Sequence, residues 1–414
     1  MVVVGHGAEV IRAAYPDAQW TWALQEPQRG TGHAVLQAVP HLDSTAATTV
    51  VLNGDVPLLR SQSVQALVNA CQGQVLALLT VTLDDPTGYG RILRDERGRV
   101  RGIVEHKDAS AEQLRIREVY TGTLAAPTEQ LCQWVRALRS DNAQQEYYLT
   151  DIVAMAVAQG MEVSTVQPHD ATEVLGINSP AQLADLERRY QVIQAQQLMD
   201  AGVRLSDPAR LDVRGQLRCG QDVEIDINCI FEGHVELGDN VRVGAHCFVR
   251  NARIHSGAVL QPYTHVDGDN TGVTVGAMAR VGPFARLRAG AELGQDVHVG
   301  NFVEVKNSTL GNGAKANHLA YLGDATVGER VNYGAGSITA NYDGVNKHRT
   351  VIGDDALVGS NCVLIAPVTI GAGATIGGGS TVSKDVPAGQ LTVARARQTS
   401  LSHWQRPSKK PPKG

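Results

Sequence analysis

Aromatic residues are scarce in this chain of 414 residues: Phe, Tyr and Trp together make up 4% of it. That argues against a β-sandwich or a helical bundle, whose cores lean on such rings. The six cysteines stand at positions 71, 132, 219, 229, 247 and 362 with no Cys-x-x-Cys pair and no metal-ligand spacing. A disulfide framework and a zinc ribbon are therefore excluded, and the thiols read as the reduced ones of a cytosolic protein. Charge of either sign is in small excess only: 37 Lys and Arg against 42 Asp and Glu give a net charge of -5. This argues against a nucleic-acid surface while leaving small anionic ligands open. No signal peptide opens the chain and no apolar run is long enough to span a bilayer, so no membrane insertion and a cytoplasmic location are expected.

What the chain has in plenty is glycine, 43 residues of it, and a period. From about residue 223 to about 386, small branched apolar residues recur at every sixth position. Val275, Val281, Leu287, Leu293, Val299 and Val305 form one series; Ile352, Val358, Leu364, Ile370, Ile376 and Val382 form another, with Leu237, Val243 and Val249 a third. A helix repeats every 3.6 residues and a strand every 2, so a period of six fits neither alone. It fits a parallel β-helix of triangular section, with one hexapeptide per side and the branched residue pointing into the shaft. The glycines that follow many of these residues, such as Gly244, Gly276 and Gly294, are expected to relieve the corners. Hexapeptides are core and carry no chemistry of their own.

The length predicts two domains, and residues 1–178 read as α/β. Met1–Val4 predicts a strand, Ala8–Ala14 a helix, and Trp20–Leu24 a short strand. Gly30-Thr31-Gly32 should open a helix with free N–H groups toward an anionic or uracil-like acceptor. Thr49–Asn53 predicts a buried parallel strand ending in Gly54-Asp55. An Asp there lies where open α/β sheets bind ligands and could hold a divalent cation, or could simply cap a helix. Ser179-Pro180 starts a long helix over 179–201, a linker or the last helix of the first domain. The β-helix domain follows over 202–414, ending in a Lys- and Pro-rich tail expected to be mobile.

Taken in order, Gly30-Thr31-Gly32-His33-Ala34, Asn53-Gly54-Asp55-Val56-Pro57-Leu58, Pro86-Thr87-Gly88-Tyr89-Gly90-Arg91-Ile92, Ile103-Val104-Glu105-His106-Lys107-Asp108, Tyr147-Tyr148-Leu149-Thr150-Asp151 and Gly176-Ile177-Asn178 resemble one family. It is the bifunctional bacterial UDP-N-acetylglucosamine pyrophosphorylase and glucosamine-1-phosphate N-acetyltransferase. The resemblance covers essentially the whole chain. It implies a Rossmann-like nucleotidyltransferase domain, a left-handed parallel β-helix, small-molecule substrates, a homotrimer, and a place in supplying UDP-N-acetylglucosamine for cell wall and lipopolysaccharide. It also implies a glycine-rich Leu-Ala-Ala-Gly-x-Gly-Thr-x-Met loop some fifty residues before Gly5-His6-Gly7. That loop is not in the sequence, so the uridylyl site is expected to be incomplete and the first domain destabilised.

By the same resemblance, Gln25, Gly30 and Thr31 would contact uracil and ribose. Asn53, Gly54, Gly90 and Glu105 would contact the nucleotide sugar, and Asp55 with Asn178 would hold Mg2+. Tyr120 stands where the family has a sugar-binding Asn; its hydroxyl could still donate. In the second domain Arg288 and Lys306 are eighteen residues apart, one turn of a three-sided shaft, and should stack on one face where two cations suit a sugar phosphate. The family assigns both to glucosamine-1-phosphate. An amine acceptor must lose a proton before it attacks a thioester, and a neutral histidine is the side chain matched to take it. In Ala316-Asn317-His318-Leu319-Ala320-Tyr321 that base is His318. The resemblance adds Tyr321 and Asn332 as sugar contacts, and Ala335, Asn341, Tyr342, Ser360, Gly378 and Arg395 as acetyl-CoA contacts. Residues 340–349 interrupt the hexapeptides and read as a protruding loop.

Three readings compete: the bifunctional enzyme, using acetyl-CoA and UTP; an acetyltransferase on a first domain unable to use UTP; and a prism that is structural or a metal-dependent hydratase. The last needs clustered histidines, often His-x4-His, and none surround His318.

Overall fold

The computed structural model describes residues 1–408; the end of the Lys- and Pro-rich tail lies outside the described residues, and 400–408 is exposed without helix or strand. The chain divides into two compact units, Met1–Tyr190 and Gln191–Gly414.

The first unit contains β1 (Val2–Val4), α1 (Ala8–Ala14), β2 (Trp22–Leu24), α2 (Thr31–Ala38), β3 (Thr48–Val51), α3 (Ser61–Cys71) and β4 (Leu76–Thr82). It continues through β5 (Arg91–Arg94), β6 (Val100–Val104), β7 (Glu118–Pro127), α4 (Thr128–Ala137), α5 (Asp151–Ala158), β8 (Val163–Val166) and the start of α6 (Pro180–Asp200). The main sheet runs β6-β5-β7-β4-β8 with β3 also on β7, while β1 and β2 form a separate parallel pair. Strand β4 opens as a run of four apolar residues, Leu76 to Leu79, because both its faces are covered. Leu76 and Leu78 pack with Leu131, Trp134 and Ile152 on one side. Ala77, Leu79 and Val81 pack with Leu67 and Cys71 on the other. One expectation is corrected: β3 is antiparallel to β7 and only half-buried. β7 is a ten-residue strand running back through the sheet, pairing antiparallel with β4 as well. At the far end of the unit the Ser179 hydroxyl accepts the Gln182 N–H, the cap that Ser179-Pro180 predicts.

The second unit is a parallel β-helix. All residues of the three apolar series are buried in one continuous core. The ladder begins one coil earlier than the hexapeptides imply, where Arg204–Leu205 pairs with Glu224–Ile225, and runs on to Leu391–Thr392. The first coil escapes the pattern because its open end is closed by other means. Ala195 of α6 enters the core, and Gln191 exchanges two hydrogen bonds with the Val213 backbone, at 2.8 and 3.0 Å. The period also slips. Arg286 pairs with Glu304, eighteen residues on, but Glu304 pairs with Tyr321, seventeen on. The loop at 341–349 stretches one coil further, so that Ile338 pairs with Val363.

The corners correct a second expectation. Gly244, Gly276 and Gly294 do not have positive φ. A Cβ at Gly276 would instead strike the Gly294 carbonyl of the next coil, so these glycines permit close stacking of coils. The left-handed conformation falls two residues later, on His246, Met278, Asp296, Phe302, Asp355 and Asn361.

Candidate active sites in the two units

In the first unit a cavity of about 300 Å3 opens beyond the carboxyl ends of β3 and β6 and the start of β5, lined among others by Thr31, Asn53, Asp55, Gly90, Glu105, Tyr120 and Asn178. Gln25, Gly30 and Gly54 are not in its wall. Gln25 braces the α2 entry instead, its amide donating to the Gly30 carbonyl at 2.9 Å and lying 3.2 Å from His33 Nδ1. The Gly-Thr-Gly turn opens α2, yet its N–H groups are not all free: Gly32 N–H donates to the Tyr147 carbonyl at 2.8 Å. The Thr31 hydroxyl accepts the Leu149 N–H at 3.2 Å. Asp55 and Asn178, 123 positions apart in sequence by their numbers, flank Gly176: a Cβ there would lie 3.6 Å from Asp55 Oδ2 and 3.9 Å from Asn178 Nδ2. The Ile177 N–H fixes this approach by donating to the Asp55 carbonyl at 2.9 Å.

Gly90 passes over Ile103 and Glu105 so closely that a side chain would collide with Ile103, and its carbonyl accepts the Tyr120 N–H at 2.9 Å. Glu105 accepts the Thr150 hydroxyl at 2.9 Å. Burial pushes its carboxyl above the ordinary range, with Asp151 and Asp108 adding to the rise and the Thr150 bond opposing it. Tyr120 also lines the cavity, but its hydroxyl is buried and has no partner among the described residues. Burial and the Glu105 charge push the phenol's pKa upward. As folded, that hydroxyl is closed off from the cavity, against the expectation that it donates to a sugar.

In the second unit, one flat face carries the cations. Leu287 and Val305 are register partners, so Arg288 and Lys306, one position further along each strand, sit one above the other. Arg288 donates to Glu304 at 2.9 Å. Lys306 pairs with Gly323, and the Tyr321 hydroxyl occupies the space that a side chain at 323 would need. Tyr321 is thus brought beside Lys306. A residue that sequence reasoning missed joins them: Lys347, from the loop at 341–349, presses its ammonium on Lys306. That contact pulls the Lys306 pKa down, with partial desolvation and Arg288 adding and Asp324 opposing. Arg288, Lys306 and Lys347 thus gather three cations on this face, with Glu304 paired to Arg288 and Asp324 near Lys306 as the opposing carboxylates.

The loop is held by Asp324, a buried carboxylate that accepts the side-chain amides of both Asn307 and Asn341. Asn341 is therefore spent on bracing the loop, while Tyr342 is exposed, with its hydroxyl donating to the Gly344 carbonyl at 2.5 Å. Within the loop Asp343 accepts the Val345 and Asn346 N–H groups and lies 2.7 Å from the His348 ring.

His318 stands at the corner where this face begins, exposed. It heads a line of candidate acyl-CoA residues, each one coil from the next. Gly336 N–H donates to the His318 carbonyl at 3.3 Å, Asn361 N–H to that of Ala335 at 2.8 Å, and Gly379 N–H to that of Ser360 at 2.8 Å. Arg395 closes the line by donating to the Gly378 carbonyl at 2.6 Å. A Cβ at Gly378 would lie 3.3 Å from the Ser360 carbonyl, so an Ala there would be tight but tolerable. Asn332 is the exception. It pairs with Lys315 on the adjoining face, three positions short of the His318 line.

The comparisons with known proteins agree with both halves. The MobA-like NTP transferase domain matches residues 1–116, and the bacterial transferase hexapeptide (six repeats) matches 218–251 and 349–384. The bifunctional protein GlmU of Methylibium petroleiphilum is 69% identical, with 99% of this chain and 90% of that protein covered. Those of Paracidovorax citrulli and an Acidovorax species are 63% and 60% identical, with 99% of this chain and 89% of theirs covered. The chain belongs to the GlmU family, the bifunctional N-acetyltransferases and uridylyltransferases that its motifs resemble.

Proposed function

We propose that His318, Arg288, Lys306 and Lys347 carry the acetyl transfer from acetyl-CoA to glucosamine-1-phosphate, and that the cavity of the first unit carries the uridylyl transfer. The observation that bears most weight is the arrangement of one face: three cations at one end and an exposed imidazole at the other. The phosphate binds Arg288, Lys306 and Lys347, and the hexosamine lies along Tyr321 with its amine at His318. The ammonium gives one proton to solvent, and as the free amine attacks the thioester carbonyl the imidazole takes a second from the amine nitrogen. The C–N bond forms, the C–S bond breaks, and the imidazolium returns the proton to the leaving thiolate. Products are N-acetylglucosamine-1-phosphate and CoA. The line Ala335, Ser360, Gly378 and Arg395 carries the acyl-CoA arm, polar backbone edges with one terminal cation.

In the first unit Glu105 and Gly90 hold the sugar, and Thr31 and Asn53 the nucleotide side. Asp55 and Asn178 bring a carboxylate and a carboxamide beside Gly176; their oxygens are hard donors that would fit Mg2+, which keeps much of its own water. When bound, that ion would neutralise phosphate charge.

Trimeric assembly is part of this reading. His246, Tyr263, Phe284 and Phe302 stack ring on ring along one corner, with centroids 4.8, 4.9 and 5.5 Å apart. Leu319 extends the column, and Tyr263, Phe284, Phe302 and Leu319 are all largely exposed. Each of these residues is in the left-handed conformation, which costs a bulky side chain roughly 1–2 kcal/mol. An apolar seam held at that cost suits a contact with further copies of the chain. Its six free cysteines, four of them buried, support a reducing compartment such as the cytoplasm.

The deciding assay follows both half-reactions on one preparation: CoA from acetyl-CoA plus glucosamine-1-phosphate, and pyrophosphate from UTP plus N-acetylglucosamine-1-phosphate. His318→Ala should abolish the first and spare the second. CoA release untouched by the substitution would remove His318 as the base, and absence of pyrophosphate from both proteins would restrict the chain to acetyl transfer.

A further inference from the structure

Asn301 and His318 are register partners on adjacent coils, at the ends of strands His298–Asn301 and Lys315–His318. The Leu319 N–H donates to the Asn301 carbonyl at 3.0 Å, which locks the two backbones together at this point. The side chains meet as well: Asn301 Oδ1 lies 2.8 Å from His318 Nδ1. A carboxamide oxygen can only accept, so the ring nitrogen facing it carries the hydrogen. The other nitrogen, Nε2, is then left with its lone pair. We infer that Asn301 is a positioning residue, selecting the tautomer of His318 whose Nε2 can take the proton of the substrate amine; this rests on the reading of His318 as the base.

The inference has a physical edge because an imidazole has two neutral tautomers, and only one of them serves. With the hydrogen on Nε2, the basic nitrogen would be Nδ1, turned toward Asn301 and away from the open side of the shaft. The partner of one ring nitrogen decides which nitrogen is basic. Asn301 lies seventeen residues before His318, one coil of the shaft, and its neighbour Phe302 is the next corner residue of the aromatic column. Its backbone is thus fixed from both sides, which holds the carboxamide in place without a charge that would stabilise the imidazolium.

The test is made on the full chain with 15N-labelled histidine. His318 is identified among the 13 histidines by its absence from the spectrum of His318→Gln. In wild type the neutral His318 should show a protonated Nδ1 and a bare Nε2. In Asn301→Leu, similar in size but unable to accept, the Nδ1–H form should lose its dominance. There kcat for acetyl transfer should fall about 10- to 100-fold, within the usual reach of a general base, and KM for glucosamine-1-phosphate should change less than about twofold. Asn301→Asp restores an acceptor and should recover the tautomer and at least part of kcat, which keeps the test decisive if the Leu variant folds poorly. A wild-type spectrum with the hydrogen on Nε2, a tautomer that ignores both substitutions, or an undiminished kcat in Asn301→Leu would overturn the inference. Failure of the parent reading looks different: His318→Gln would keep its CoA release while the tautomer still responded to Asn301.

Discussion

Replacing Asp324 by Ala should damage the second unit at two levels at once. The carboxylate is buried and accepts the side-chain amides of Asn307 on the preceding coil and of Asn341 at the root of the loop. Hydrogen bonds to a charged acceptor contribute roughly 1.5–3 kcal/mol each, and their loss leaves two amides short of a partner. The expected destabilisation is about 3 kcal/mol or somewhat more, equivalent to a fall in Tm of about 6–12 °C for a unit of roughly 200 residues. The second effect is on binding. Asp324 opposes the repulsion that Lys347 and Arg288 exert on Lys306, and the loop that carries Lys347 hangs from Asn341. Freed from its brace, the loop should leave the phosphate seat, raising KM for glucosamine-1-phosphate about tenfold. Scanning calorimetry of the full chain, together with CoA-release kinetics, measures both. An unchanged thermal transition with an unchanged KM would refute the reasoning. A lowered Tm with normal KM would mean that Lys347 contributes nothing to the seat.

Three further outcomes follow from the first unit. Burial raises the Glu105 pKa above its ordinary 4.5, so the folded protein holds a proton that the unfolded chain releases. Stability carried by that proton is present below about pH 4.5 and is lost as the pH rises through the raised value. Glu105→Gln should flatten this part of the pH dependence of unfolding, leaving the similar contribution of Asp151, whose pKa burial also raises; an unchanged slope would refute it. Tyr120→Phe removes a hydroxyl that is buried without a partner. It should cost no stability and gain up to about 1 kcal/mol, with UDP-N-acetylglucosamine binding intact by calorimetry; a loss of binding would mean that the hydroxyl opens to the ligand. Chelation of divalent ions, or Asp55→Asn, should abolish pyrophosphate release while CoA release continues, and equal loss of both would contradict the separation of the sites.

The shaft was legible because its signal is a period, and a period survives without knowledge of side-chain contacts. Arg288 over Lys306 could be placed from an interval of eighteen. The same arithmetic missed Asn301, because the coil that joins it to His318 has seventeen residues. Lys347 was out of reach for another reason: it sits in a loop, where no repeat dictates position. The corner glycines were misassigned since composition cannot distinguish a residue that turns the chain from one that lets two coils approach. In the first unit the sheet's apolar strands could be read, but not the direction of β3. A half-buried strand of four residues does not announce which neighbour it pairs with. Tyr120 was named as a departure, whereas the burial of its hydroxyl is a property of the packing around it.

The line from His318 through Ala335, Ser360 and Gly378 to Arg395 runs toward the last rung of the ladder, Leu391–Thr392. A solenoid holds each coil only by its neighbours, so its ends open more readily than its middle. Peeling of the shaft from its C-terminal end would take Arg395 first, Gly378 next and Ser360 after it, with the phosphate seat surviving longest. Mild heat, a nicking protease or a pulling force would therefore erode affinity for the acyl donor in steps while the acceptor sugar still bound. Weakening of such a molecule would register as a rising KM for one substrate well before any global transition.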